Sequence, residues 1–376
     1  MRIIDKLKKL KDCVEEAREY LKEGNILAEA RKELDEVQKN TTEEEYEIKK
    51  EEFLKLYNKL REKEEQMWWH QLTKEQRDKL HPLVLTVYKI KNRIDGFDCK
   101  VIKDERKRKF ISIMQEKNIK KLQISWKTFE KKQKEEKRPV IYVLTHVGKY
   151  DIQVVSEAIK KHYTLLSGDY EHIQGTIDAI FLGINGVEYF CEIDKEERKT
   201  IQPRMIQDLQ NGIDLMYFIE GTWNMTEELP VIPAYWGVVD VAKKGNALIT
   251  PIACAQYDKR FKTNIGEYFH MEDYGEGTKE KTRGITDLRD ELARLNYEIW
   301  ETEEPLVRSE IPDNYWEDYC QARFAEWPYF NHEYINKLVY KPKGVTKRDE
   351  VYEPVKKLEI NKKNAFLFYK NNKDRI

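Results

Sequence analysis

The chain has 376 residues, with 68 Lys+Arg against 69 Asp+Glu and a formal net charge of −1. Charged residues make up 36% and hydrophobic residues 40%, so the faces are ion-rich and mixed in sign around a packable core; that balance excludes a nucleic-acid coat, an acidic tail and wholesale disorder. No run approaches about 18 uninterrupted apolar residues, so no spanning helix is expected.

Residues 1–70 hold 16 Lys+Arg and 19 Asp+Glu. Ile3, Leu7, Leu10, Val14, Ala17 and Leu21 follow helical spacing and predict one apolar face. Gly24-Asn25 predicts a break, and Leu27, Ala30, Leu34 and Val37 begin a second stripe. Thr41-Thr42 before Glu44-Glu45 is a capping-box signal for a helix carrying Phe53, Tyr57, Leu60 and Met67. Short stripes joined by short breaks predict a helical hairpin or small bundle over residues 1–100 rather than a long coiled coil. Its expected role is scaffolding or oligomerisation.

Residues 101–138 carry 14 Lys+Arg against 6 Asp+Glu, a local charge of +8. Phe110, Ile113, Met114, Leu122, Trp126 and Phe129 can share one helical face. Such a basic amphipathic helix suits an anionic membrane surface, and equally an ordinary packed helix with a solvated basic face. From Pro139 the pattern changes. Val140–Leu144 is a buried-strand candidate, Asp151–Lys161 a helix, and Val187–Cys191, Leu215–Ile219 and Ala247–Ala255 are further strands. Lys195–Gln210 and Ile285–Trp300 read as helices. This alternation predicts an α/β domain over residues 139–300. Residues 301–376 are rich in aromatics and are expected to pack on it.

No secretory signal is expected at Met1-Arg2-Ile3-Ile4, which leads into alternating charge. Cys13, Cys99, Cys191, Cys254 and Cys320 are odd in number and far apart. That argues against a disulfide framework or zinc site and for a reducing, cytoplasmic setting.

Two places can carry chemistry. Thr145-His146-Val147-Gly148-Lys149-Tyr150-Asp151 follows a buried strand and opens a helix, where α/β proteins place their sites. His146 suits a general base, and Asp151 can orient its imidazole or simply cap the helix. Seventy-four residues on, strand-like Leu215–Ile219 runs into Glu220-Gly221-Thr222: an acid, a glycine turn and a hydroxyl, either a site-building loop or a plain turn.

Together these blocks resemble the lysophospholipid acyltransferase family, the PlsC-type glycerolipid acyltransferases. The first family block corresponds to Thr145-His146 through Asp151, with Gly148 where the family usually has serine. The second resembles Gly186–Glu192, the third Phe218-Ile219-Glu220-Gly221-Thr222-Trp223-Asn224, and the fourth Ile249-Thr250-Pro251-Ile252-Ala253. The resemblance covers about residues 139–300 and implies a PlsC-type α/β fold, a mixed sheet flanked by helices.

It further implies transfer of a fatty acyl group from acyl-CoA or acyl-carrier protein to a hydroxyl of a lysolipid, glycolipid or related acceptor. His146 and Asp151 would be catalytic; Glu220, Gly221, Thr222, Trp223, Glu192 and Lys149 would meet substrate. No bound cofactor and no metal are implied. Family arginines associated with the acceptor phosphate are replaced here by Glu192 and Trp223, so a neutral acceptor is expected, unless Lys149 or Arg198 substitutes for them. The expected partners are the two substrates and, peripherally, a membrane surface, with no nucleic acid. The alternative is an inactive scaffold that keeps the fold.

Overall fold

The computed structural model describes residues 3–102, 136–168, 170–225, 231–232, 234, 237–300 and 315–326. In chain order its elements are α1 (Ile3–Asn40), α2 (Glu43–Gln66), α3 (Lys74–Ile94), β1 (Asp98–Val101), β2 (Val140–Leu144), α4 (Asp151–Ile159), β3 (Thr164–Ser167), α5 (Tyr170–Ile173), α6 (Ile177–Asn185), β4 (Val187–Tyr189), α7 (Lys195–Gln210), β5 (Leu215–Phe218), α8 (Gly237–Lys244), β6 (Leu248–Tyr257), β7 (Arg260–Ile265), a 3₁₀ turn (Met271–Tyr274), α9 (Thr278–Trp300) and α10 (Tyr315–Glu326). The α/β class and the N-terminal helices agree with the sequence reading. Most of the predicted basic helix, residues 103–135, lies outside the described residues, as does the aromatic segment apart from α10.

The chain folds into two units that do not follow its order. The first combines residues 1–84 with 161–201, and the second combines 85–160 with 202–376. In the first, α1 and α2 pair as a hairpin. Thr42 caps α2 through the predicted box: its Oγ1 accepts from Glu45 N, and Glu45 accepts from Thr42 N.

The expected break at Gly24-Asn25 is absent, because α1 is continuous through it. The buried line of α1 is Tyr20, Gly24, Leu27 and Leu34, while Val14 of the predicted stripe is 53% exposed. Gly24 sits on that line because a Cβ there would enter the backbone of Gln174 and Gly175. The glycine is a notch for close approach, not a terminator. Around it Tyr20, Tyr57, Trp69, Tyr170 and Tyr189 fill an aromatic core. Tyr20 Oη bonds Gln174 Oε1 at 2.5 Å, and Arg31 pairs with buried Glu171. Strands β3 and β4 pair in parallel.

In the second unit the strands lie in the order β1-β7-β6-β2-β5. β2 is parallel to both neighbours, β6 and β5, whereas β6 and β7 form an antiparallel ribbon. All five residues of β2 are buried, which explains the unbroken Val-Ile-Tyr-Val-Leu run. Pro251 stands inside β6 without breaking it. Ile249 bonds Phe269 in both directions, and Pro251 O accepts from Gly266 N on that same side. The missing N–H of Pro251 therefore falls where the second ribbon strand has looped away between Gly266 and Phe269. Helix α9 lays Leu295 and Ile299 on Ala253 and Ala255 of β6. Among the described residues no helix is long and apolar enough to cross a membrane.

Candidate active site

The register of the central strands builds the site. Leu144 of β2 stands opposite Phe218 of β5, so continuing the two parallel strands by two residues brings His146 beside Glu220. Ile219 N still donates to Leu144 O, extending the ladder past the end of β5. On the other side Thr145 N donates to Ile252 O of β6. The Thr145 hydroxyl also accepts from Cys254 N and donates to Cys254 O. The chain therefore leaves the sheet pinned on both sides, at the carboxyl end of a central strand.

His146 Nδ1 lies 2.8 Å from Asp151 Oδ2. That same oxygen accepts from Val147 N at 2.7 Å and Gly148 N at 3.1 Å. Asp151 is fully buried at the first turn of α4. An oxygen already accepting two backbone N–H bonds is an acceptor toward the ring as well, so the imidazole carries its proton on Nδ1 and presents a lone pair on Nε2. Of the two sequence readings of Asp151, the helix cap is not what forms: the N-cap is Tyr150, no side chain caps α4, and the Asp151 carboxylate accepts from Val147 N and Gly148 N, which precede the helix. The ring stacks on Phe218, with centroids 4.1 Å apart, and meets Trp223 edge-on at 6.2 Å. Phe218 opens the third family-like block, but its contact with the histidine is legible only from the strand register.

Glu220 is buried, and each of its oxygens accepts a backbone N–H. Oε2 bonds His146 N at 2.7 Å, and Oε1 bonds Ile232 N at 2.8 Å. Burial pushes its carboxyl up to about 8; the two N–H bonds and Arg289 oppose the rise, and Asp151 adds to it. Glu220 thus ties together the His146 turn, its own loop and the segment at Ile232. Gly221 follows at φ +67°, the left-handed turn that favours glycine, and donates to Phe218 O. Thr222 is buried beyond it. Asn224 N then donates to His146 O at 2.7 Å, closing a backbone ring around the histidine.

Trp223 is 6% exposed and is packed with Met225 and Ile232 against Tyr319, Cys320 and Phe324 of α10. It is core here, with little surface for a sugar or acyl chain to stack on. Lys149 is exposed, its ammonium 5.5 Å from the Tyr150 ring centre. A Cβ on Gly148 would touch Gln256 Oε1 at 3.3 Å. The structure therefore brings together His146, Lys149, Asp151, Glu220, Gly221, Thr222 and Trp223 in the second unit. Glu192 belongs to the first unit, where it lies beside Gly168 and contributes to holding up the Arg31 guanidinium. The last turn of α10 connects to the His146 turn through Gln256, whose Nε2 reaches Glu326 Oε1 at 3.5 Å and whose Oε1 borders Gly148. No motif marks α10 in the sequence.

Residues 117–255, a segment that includes His146, Asp151 and Glu220, match the Acyltransferase family model. Among solved structures, the crystal structure of the 1-acyl-sn-glycerophosphate (LPA) acyltransferase PlsC from Thermotoga maritima is similar. It has 15% sequence identity and a TM-score of 0.37, over 56% of this chain and 76% of that one. None of the curated proteins matches the chain.

Proposed function

We propose that the protein transfers a fatty acyl group from an acyl thioester, acyl-CoA or acyl-carrier protein, to a hydroxyl of a lysolipid, glycolipid or related acceptor. The supporting observation is His146 held through Nδ1 by Asp151 just past the end of β2, which leaves Nε2 for the base role. In the reaction Nε2 removes the acceptor O–H proton as that oxygen attacks the thioester carbonyl. The C–O bond forms, the C–S bond breaks, and the imidazolium returns the proton to the departing thiolate. Asp151 stabilises the imidazolium between these steps without being protonated itself. Base catalysis of this kind contributes about 10²–10⁴-fold.

The test is thiol release from acyl-CoA in the presence of a lipid and glycan extract, comparing wild type with His146→Ala. Wild type is expected to form an acylated product identifiable by mass, with the variant reduced by about 10²-fold or more. Equal thioester consumption by the two proteins would point to an inactive scaffold.

The reading includes peripheral contact with anionic lipid through the +8 segment at residues 101–138. Replacing Lys107, Arg108 and Lys109 with Glu is then expected to weaken co-sedimentation with anionic vesicles, and unchanged sedimentation would contradict it.

A further inference from the structure

Arg323 of α10 is 6% exposed. Its Nε and Nη1 make no hydrogen bond among the described residues. Glu326 Oε1 stands 3.0 Å from Nη1 but out of hydrogen-bonding alignment, and Glu326 Oε2 is also buried and unpaired among the described residues. The guanidinium rests near the ring of Tyr319, 5.6 Å from its centre. A buried guanidinium with donors idle on two nitrogens is costly to the fold, and surface salt-bridge energetics do not explain it.

Its place relative to His146 is defined from two flanks. On one, Tyr319, Cys320 and Phe324 pack on Trp223, whose edge meets the His146 ring. On the other, Gln256 Nε2 reaches Glu326 Oε1 at 3.5 Å, while Gln256 Oε1 borders Gly148. Tyr150 senses the Arg323 charge, and Glu326 senses Lys149 and Asp151. Helix α10 therefore straddles the His146 turn, and Arg323 lies on it between the flanks. Arginine offers planar, permanently charged donors that match phosphate oxygens, and exposed Lys149 on the same turn adds a second cation.

We propose that Arg323 is a substrate-binding residue of the His146 site that takes a phosphate group carried by the acyl acceptor, exchanging Glu326 for it. The inference rests on the acyl-transfer reading for the word acceptor, but its anion site rests on the packing of α10 and the unpaired donors of Arg323. It replaces the neutral-acceptor expectation, because the cation comes from outside the blocks in which Glu192 and Trp223 stand.

Binding by the full-length protein is measured calorimetrically with three probes: a short-chain lysophosphatidic acid, the matching monoacylglycerol, and CoA. Arg323→Gln is expected to weaken the lysophosphatidic acid about tenfold or more and to leave the monoacylglycerol unchanged. Arg323→Lys is expected to fall between, keeping charge but losing the planar donors. Glu326→Gln removes the competing carboxylate and is expected to tighten the lysophosphatidic acid several-fold, a gain that misfolding cannot produce. Equal losses on both lipids, or no gain in Glu326→Gln, overturn the proposal. A loss confined to CoA places the phosphate on the donor and overturns the acceptor assignment. Turnover by the wild type separates the two readings: Arg323-dependent binding by a wild-type protein that never turns over sinks acyl transfer and keeps the anion site.

Discussion

Replacing Glu220 with Gln isolates a proton that the fold holds and the unfolded chain releases. In the native protein burial lifts this carboxyl from 4.5 to about 8, winning over two backbone N–H bonds and Arg289. Because the folded value is the higher one, the native state binds the extra proton between about 4.5 and 8. The stabilising contribution is therefore complete below about 4.5 and is lost as pH rises to about 8. Each tenfold gain in proton affinity is worth about 1.4 kcal/mol, so the whole effect has a ceiling of about 5 kcal/mol.

Glutamine has no such proton, so its own slope at this position is zero. It also carries a cost. His146 N and Ile232 N each need an acceptor. A protonated carboxyl can accept on both oxygens, whereas an amide nitrogen cannot accept, so one N–H is orphaned at about 1–3 kcal/mol. The variant should be the less stable protein at about pH 5 and the more stable one by pH 9. The two curves should cross within the 4.5-to-8 window. Urea unfolding followed by tryptophan fluorescence at fixed ionic strength, from pH 5 to 9, measures this directly. A gap that stays constant across that range would refute the reasoning.

Two further changes probe other parts of the fold. Asp151→Asn can keep its one oxygen on Val147 N, Gly148 N and the His146 ring, but it removes the carboxylate charge that steadies the imidazolium. Turnover should fall by about 10²–10⁴ with KM little changed, and retention of more than about a tenth of wild-type kcat in a thioester assay would contradict the base assignment. Gly24→Ala should gain about 0.8–1 kcal/mol of helix propensity but force the Gln174–Gly175 backbone aside, which costs about 1–3 kcal/mol, so the melting temperature should drop; a rise would restore the helix-break reading.

The parts that can be read from sequence are those whose signal is local. Val140–Leu144 is apolar without interruption because all five residues are buried, and a histidine two residues past its end announces a site. Thr42 and Glu45 carry their own geometry. Strands β1 and β7 escape a sequence reading because Asp98–Val101 is mostly exposed and Arg260–Ile265 has only Phe261 and Ile265 as apolar residues, so neither looks like buried sheet. Helix α8 begins within an apolar stretch of sequence, Leu229–Ala242, and runs on to Lys244; within such a stretch hydrophobicity alone does not separate helix from strand. Gly24 misleads because a sequence states which residue is small without stating what approaches it. Arg323 is invisible for a similar reason: it is remote from every block, and only packing brings α10 to the turn.

The interleaved make-up of the first unit has a consequence during synthesis. The α1–α2 hairpin leaves the ribosome early, yet Tyr20, Leu27 and Tyr57 belong to a core that is completed by Tyr170, Ala179 and Tyr189. At about 5–20 residues per second, the stretch from residue 84 to 201 takes on the order of ten seconds to appear. Throughout that interval the hairpin has an uncovered apolar stripe and a glycine notch with no loop to fill it. Ribosome-bound fragments ending near residue 130 are the species in which that exposure can be caught.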